Sequence, residues 1–510
     1  MSHRRNYRRI AIAWRAVLGE NCLSLFQPIG VIEQFEQIEH AEHLNNSNTL
    51  NVEHKRHIPV MDQTIFREYD IRGVVGEQLT DETVATAGRA IGTFLNRNGA
   101  RKIAVGCDAR ESSPRFCEIL TKSLNETGCD VILIGMVPTP VLYHTVFTKP
   151  VDGGVMITGS HNPPSHNGFK VCLGKSALFG SQIQEIKEIA LSDVFSKGAG
   201  SSEKLDVLDD YRSDLISKIG IGPRKLKAVI DAGNGMGGVT AVPFYRELGI
   251  DVVELFTKPD SGFPNHPPDP AVAENLADLI EAVKQSGADA GIAFDGDADR
   301  ITVVDETGRI IWGDELMILF ARDVLASHPG ATMIGEVKCT QNLFDDIKKH
   351  GGNPIMWKAG HSVIKAKMQE TGAVLAGEMS GHIFFADRFY GFDDAAYAGA
   401  RLLEILSKTN RPLSALLSDL PKTYSTPEIR IPCPENKKSF VIQRIVEHFS
   451  PDHEVVTIDG ARIKFDHGWG LVRPSNTQAI MVMRCEAVTE QELQRIQRGL
   501  EKMVKEAVNS

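Results

Sequence analysis

An α/β architecture of three successive, similar units is the fold class this 510-residue sequence predicts. Two observations carry it. Lys102-Ile103-Ala104-Val105-Gly106, Lys225 to Ile230 and Thr332-Met333-Ile334-Gly335 each read as a strand, and each is followed by amphipathic helical stretches. The length suits three or four domains at ~100–200 residues apiece. The segment from about Pro421 to Ser510 has a different texture: short strands flank a polar loop around Arg473, and a helix-like stretch runs from Glu490 to Val504.

The first unit carries a distinctive loop, Thr158-Gly159-Ser160-His161-Asn162-Pro163-Pro164, directly after the apolar run Val155-Met156-Ile157. Proline lacks a backbone N–H and pushes the residue before it towards extended geometry. The chain therefore leaves the strand here, and Ser160 sits at its end rather than within a ladder. A turn-capping serine is the bland alternative. Against it stands the company of His161, Asn162 and Lys170.

A second loop, Asp295-Gly296-Asp297-Ala298-Asp299-Arg300, lies between the apolar runs Gly291–Phe294 and Ile301–Val304, so it reads as strand, loop, strand. Converging carboxylates repel by roughly 4 kcal/mol per pair at about 4 Å near a surface. A hard divalent cation removes that cost, and oxygen-only ligands point to Mg²⁺. A solvated acidic turn would not need apolar strands on both sides. A calcium loop of the EF-hand kind matches at Asp295, Asp297, Asp299 and Glu306, but fails at Arg300, where the turn demands glycine. An aspartyl-phosphate phosphatase would use one carboxylate as nucleophile and leave the Ser160 loop without a role.

Two more segments add polar side chains. Gly377-Glu378-Met379-Ser380-Gly381-His382 sets a carboxylate, a hydroxyl and an imidazole between apolar runs, a combination suited to sugar hydroxyls. Arg473-Pro474-Ser475-Asn476-Thr477-Gln478 offers a guanidinium that can grip a phosphate bidentately, with hydroxyls and amides for the remaining oxygens.

These segments together resemble the α-D-phosphohexomutase superfamily, and within it the bacterial phosphomannomutase/phosphoglucomutase enzymes. The resemblance begins at Ile65-Phe66-Arg67-Glu68-Tyr69-Asp70-Ile71-Arg72-Gly73 and runs to the C-terminal end. It implies three α/β domains with mixed sheets and a smaller C-terminal α+β domain around a central cleft, at 61–206, 207–308, 309–420 and 421–510. Ser160 matches the serine that carries the catalytic phosphoryl group. Asp295, Asp297 and Asp299 match the Mg²⁺ ligands, completed by the serine phosphate. Glu378 and Ser380 match the pair that reads sugar hydroxyls; Lys358 and His361, in Trp357-Lys358-Ala359-Gly360-His361, match the specificity loop. Arg473, Ser475, Asn476 and Thr477 match the loop for the non-reacting phosphate. Tyr69, Arg72, His161, Lys170, Arg300, Lys338 and His382 match polar residues of the active site, among them His382, Lys170 and Arg72 for proton transfer or charge stabilisation. The implied activity interconverts hexose 1- and 6-phosphates of mannose or glucose through a phosphoserine and a hexose 1,6-bisphosphate. That bisphosphate also serves as activator, and the expected enzyme is a cytoplasmic monomer whose partners are sugar phosphates.

One motif points elsewhere. Gly233-Asn234-Gly235-Met236-Gly237-Gly238 satisfies the dinucleotide fingerprint, with Asp251 and Glu254 about 20 residues later. A dinucleotide-dependent oxidoreductase would follow from it; a tight turn in the second unit is the alternative. A non-catalytic sugar-phosphate sensor would be expected to have lost the serine or the metal ligands, and both are present.

Composition sets bounds. The net charge of −10 argues against a global nucleic-acid footprint, and no apolar run reaches the roughly 18–20 residues of a membrane span. Eight cysteines, scattered without Cys-x-x-Cys or zinc spacing, suit a reducing cytosol and buried packing roles. Residues 1–60 are an N-terminal extension with Arg4, Arg5, Arg8, Arg9 and Arg15 and no acid before Glu20. An organelle-targeting segment or a basic tether is one reading of them. The favoured expectation is a disordered or untranslated extension, with the natural start at Met61.

Overall fold

The structure is a computed structural model that describes residues 61–475 and 478–510. Expectations for residues 1–60 lie outside the described residues.

Three sheets repeat one plan. Strand Lys102–Cys107 pairs in parallel with Asp130–Met136 and Gly153–Ile157; Lys227–Asp231 does so with Asp251–Leu255 and Ala290–Phe294. In the third sheet Thr332–Glu336 pairs in parallel with Asn353–Trp357 and Leu375–Gly377. Helices make every crossover: Ser113–Glu126 and Thr139–Thr148, then Gly237–Glu247 and Ala277–Ser286, then Gln341–Lys349 and His361–Thr371. In each unit the third parallel strand then turns back into an antiparallel partner, respectively His166–Leu173, Ile301–Asp305 and Ile383–Phe385, and in the first sheet a short strand, Ser202–Lys204, adds a further parallel edge. The sheets are therefore mixed. Strands such as Gly153–Ile157 and Ala290–Phe294 are buried along their whole length. That is why they read as unbroken apolar runs rather than alternating ones.

This repetition positions the site. The Ser160 loop, the Asp295–Arg300 loop and the Glu378–His382 loop all occupy the same place in their units, the turn between the third parallel strand and its antiparallel partner. Ligands of open α/β sheets collect outside the carboxyl ends of parallel strands.

The fourth sheet is antiparallel, with Ile480–Ala487 and Gly468–Pro474 at its centre. Helix Glu490–Asn509 packs on it through Leu493, Ile496, Leu500, Val504 and Ala507, a stripe at helical spacing. The helix continues past Val504, and strand Ile310–Ile311 joins the second sheet just beyond residue 308.

The first sheet feeds two cores. Ile103, Val105, Val155 and Ile157 face one interior, while Ala104, Ile132 and Met156 join a larger core continuous with Ile292, Phe320 and Tyr397 of the next two units. Phe320 is fully buried, 5.0 Å edge-on to Phe385. Phe320→Ala is expected to destabilise this shared core by about 3–5 kcal/mol, read as a lower urea midpoint with an unchanged slope. Of the cysteines, Cys107, Cys129, Cys172, Cys339, Cys433 and Cys485 are buried.

Candidate active site

Ser160 follows strand Gly153–Ile157 on a backbone turned to φ +48°. Its N–H donates to Thr158 Oγ1 at 2.8 Å, and its Oγ donates to Asp295 Oδ2 at 2.8 Å. The serine loop thus meets the acidic loop directly. The approach is close: a Cβ on Gly296 would lie 2.3 Å from the Ser160 carbonyl oxygen.

Asp295, Asp297 and Asp299 are all fully buried, with ligand oxygens within 4.8 Å of one another. Asp295 is tied into its own loop, accepting from the N–H groups of Asp299 and Arg300 and from Arg300 Nε, each at 3.1 Å. Lys170 Nζ bridges the other two carboxylates, 2.7 Å from Asp297 Oδ2 and 2.5 Å from Asp299 Oδ2. Thr139 Oγ1 also donates to Asp297. Burial works against ionisation of Asp297, yet Lys170 overcomes it and holds that carboxyl well below the usual range. Burial, then the neighbouring Asp299 carboxylate, push Asp295 up to about 7. Asp297 Oδ1 and Asp299 Oδ1 are buried with no hydrogen-bond partner. An all-oxygen donor set with orphaned, buried carboxylate oxygens fits a hard divalent cation.

Around this centre the predicted residues gather. Arg300 reaches Asp269 at 3.2 Å, and Asp269 lies 2.9 Å from His161 Nδ1, so one carboxylate links the serine and acidic loops. His382 Nδ1 lies 2.9 Å from Asp393 Oδ2 and 3.7 Å from Asp299 Oδ1. Burial lowers the His382 pKa, but Asp299 and Asp393 outweigh it and hold the ring above its ordinary value. His361 stacks on it at 5.4 Å, and burial with the nearby Lys365 cation keeps that ring well below its ordinary value. Two stacked imidazoles cannot both carry charge cheaply, and their surroundings push the two rings in opposite directions.

Glu378 is buried and accepts from Gly360 N at 2.6 Å, which joins the sugar loop to the specificity segment. Ser380 is partly exposed beside it and Lys358 is exposed. Tyr69 Oη donates to the Ala359 carbonyl at 3.0 Å, and Asp459 accepts from Ala359 N at 3.1 Å. Asp459 also pairs with Arg473 Nε at 2.9 Å. One residue of the third unit, Ala359, is thereby held by the first and the fourth. Lys338 Nζ is 2.9 Å from Glu428 and 3.9 Å from Glu336. Arg72 pairs with Asp70 at 2.5 Å, leaving its Nε buried without a partner. Ser475 Oγ accepts from Gln478 N at 3.2 Å; Asn476 and Thr477 lie outside the described residues.

The glycine motif at 233–238 serves this centre. A Cβ on Gly235 would meet the Gly296 carbonyl oxygen at 2.7 Å, and Met236 N donates to that oxygen at 2.9 Å. Asn234, at φ +59°, makes the turn. Gly235 backs against the acidic loop, Gly237 against the Phe294 ring and Gly238 against the Thr257 carbonyl, and this packing accounts for the glycines without a dinucleotide.

Asp269, Asp393, Glu336 and Asp459 are functional candidates that sequence reasoning did not identify. Asp269 had a visible cue, since Asn265-His266-Pro267-Pro268-Asp269-Pro270 is too proline-rich for an element and carries a histidine and a carboxylate. Asp393 had a weaker one in the pair Asp393-Asp394 after an apolar run.

Comparison with known proteins agrees along the chain. Phosphoglucomutase/phosphomannomutase alpha/beta/alpha domain I matches residues 63–197, domain II residues 209–308 and domain III residues 312–424. The C-terminal domain of that family matches residues 428–503. A phosphomannomutase/phosphoglucomutase of Pseudomonas aeruginosa is 47% identical over 439 residues, covering 86% of this chain and 95% of the relative. A phosphoglucomutase of Neisseria gonorrhoeae is 47% identical over 438 residues, or 85% and 95% of the two chains. The crystal structure of a phosphoglucomutase/phosphomannomutase family protein from Burkholderia thailandensis superposes with a TM-score of 0.83 at 45% identity, covering 88% of this chain and 98% of its own. With three sheets of one plan, a serine loop docked on an acidic triad and all four domain types in order, this chain belongs to the phosphoglucomutase/phosphomannomutase family.

Proposed function

We propose that the protein is a phosphohexomutase that interconverts hexose 1- and 6-phosphates of mannose, glucose or both through a phosphorylated Ser160. The observation that carries this reading is the 2.8 Å contact between the Ser160 hydroxyl and the buried acidic triad. Phosphorylated Ser160 gives its phosphoryl group to the free O1 or O6 of the substrate, forming a hexose 1,6-bisphosphate. The bisphosphate turns over in the cleft and returns its other phosphoryl group to Ser160. The same bisphosphate, supplied from outside, primes the unphosphorylated enzyme.

Asp295, Asp297 and Asp299, joined by the serine phosphate, would hold Mg²⁺, which when bound offsets charge on the moving phosphoryl group. Lys170 and Arg300 do the same from the protein side. Arginine does not deprotonate in proteins, and two carboxylates hold Lys170 charged despite its burial. Neither Arg72 nor Lys170 is therefore suited to accept a proton; His382, steadied by Asp393, is the better carrier. Glu378 and Ser380 read the sugar hydroxyls, with His361 and Lys358 at the specificity segment. Arg473, Ser475, Asn476 and Thr477 take the non-reacting phosphate. Tyr69, His161 and Lys338 line the cleft. The working unit is a monomer with domain joints near residues 206, 308 and 420, and it acts in the cytoplasm; no described helix is long and apolar enough to cross a membrane.

A paired assay with mannose 1-phosphate and glucose 1-phosphate tests the reading: a 6-phosphate product is expected from at least one sugar, and none from either would refute it. In the same assay Arg473→Ala is expected to raise KM by roughly 10–100-fold, since a charge-assisted hydrogen bond contributes about 1.5–3 kcal/mol, with a smaller effect on kcat.

A further inference from the structure

We propose that Arg110 is a positioning residue that holds the Ser160 loop in the shape required for phosphoryl transfer. The inference rests on the phosphoserine reading above. Arg110 follows strand Lys102–Cys107 and is only 1% exposed, an unusual setting for a guanidinium. A guanidinium has five N–H donors in a rigid fork, and here every one is engaged. Nε donates to Asp108 Oδ2 at 3.2 Å. Nη1 donates to the carbonyls of Pro163 at 2.7 Å and His166 at 3.0 Å. Nη2 donates to the carbonyls of Ser160 at 2.7 Å and Asn162 at 2.6 Å.

Four of the five bonds therefore end on backbone oxygens between Ser160 and His166, the segment that carries the nucleophile and the first residue of the strand after it. No donor is left for a phosphate, so Arg110 acts through the serine rather than on the substrate. Asp108 closes the device from the other side: it accepts from Gly159 N at 3.2 Å and from Ser113 Oγ. The Phe263 ring, from the second unit, lies over the guanidinium at 5.1 Å.

The need for such a clamp is local. Ser160 occupies the left-handed region, which a non-glycine residue keeps only where its surroundings fix it. The carbonyl that Nη2 holds is also the surface on which Gly296 of the acidic loop docks. A shift of that carbonyl moves Ser160 Oγ relative to Asp295, and a misplacement of about 1 Å at a reacting group can lower a rate about 100-fold.

Lysine keeps the charge of Arg110 but places three donors on one nitrogen and cannot serve five directions. The test is turnover of Arg110→Lys per phosphorylatable site, with sites counted by label taken from hexose 1,6-[³²P]bisphosphate. Kcat per labelled site is expected to fall about 100-fold, with KM for glucose 1-phosphate within about threefold of wild type. A purely structural arginine would lower the number of labelled sites and the melting temperature but leave kcat per site unchanged, and that result overturns the inference. Should Arg110→Lys fail to fold, Asp108→Asn decides: it withdraws the acceptor from Arg110 Nε and Gly159 N, and kcat per labelled site is expected to fall about 10-fold. Wild-type turnover per site in that variant also overturns the inference. Wild-type protein that takes no label at all defeats the phosphoserine reading itself, and the clamp falls with it.

Discussion

Ser160→Ala is expected to abolish mutase turnover, with kcat falling by on the order of 10⁴-fold or more, as removal of a catalytic nucleophile does elsewhere. The fold should survive. The side chain donates to Asp295, and losing one such bond changes stability by only about 0.5–1.5 kcal/mol. The residues read as sugar and phosphate binders sit on other loops, so glucose 1-phosphate should still bind by calorimetry. A coupled assay with added hexose 1,6-bisphosphate checks the rate. Wild-type turnover by the alanine variant would remove Ser160 from the mechanism.

The second large effect concerns the acidic loop. Chelation with EDTA is expected to reduce turnover to background, and added Mg²⁺ to restore it. Asp297→Asn should lower kcat by on the order of 10³-fold, about 4 kcal/mol of transition-state stabilisation. The orphaned, buried Asp297 Oδ1 and Asp299 Oδ1 lie among three carboxylates, where a divalent cation supplies the missing partner. A ligand that binds only the folded state raises stability by mass action. Mg²⁺ should therefore raise the melting temperature of the wild type and do so far less for Asp297→Asn. A cation-independent melting curve and an EDTA-resistant rate would contradict this assignment.

Much of the site was legible because its loops break the pattern around them. Proline after Gly159-Ser160 and three aspartates between apolar strands both resist any structural role within a sheet. The three-unit fold was legible for the related reason that its central strands are buried on both faces and so spell continuous apolar runs. The residues that were missed are those whose roles exist only across loops distant in sequence. Asp393 reads as an ordinary helix-capping neighbour until His382 lies against it. Asp459 pairs with Arg473 because strands Ala461–Phe465 and Gly468–Pro474 lie side by side. Arg110 looks like any arginine after a strand; four of its five bonds end about fifty residues later. The glycine motif at 233–238 misdirects for the opposite reason, since close loop–loop packing and pyrophosphate binding demand the same absence of side chains.

The central claim is that the phosphoryl group passes through the enzyme on one alcohol oxygen. Incubation with hexose 1,6-[³²P]bisphosphate, followed by peptide mapping, measures this directly. The account predicts close to one label per chain, on the peptide containing Ser160 and lost on addition of unlabelled hexose monophosphate. A protein that turns over substrate without ever acquiring label, or whose label maps to another residue, would contradict it.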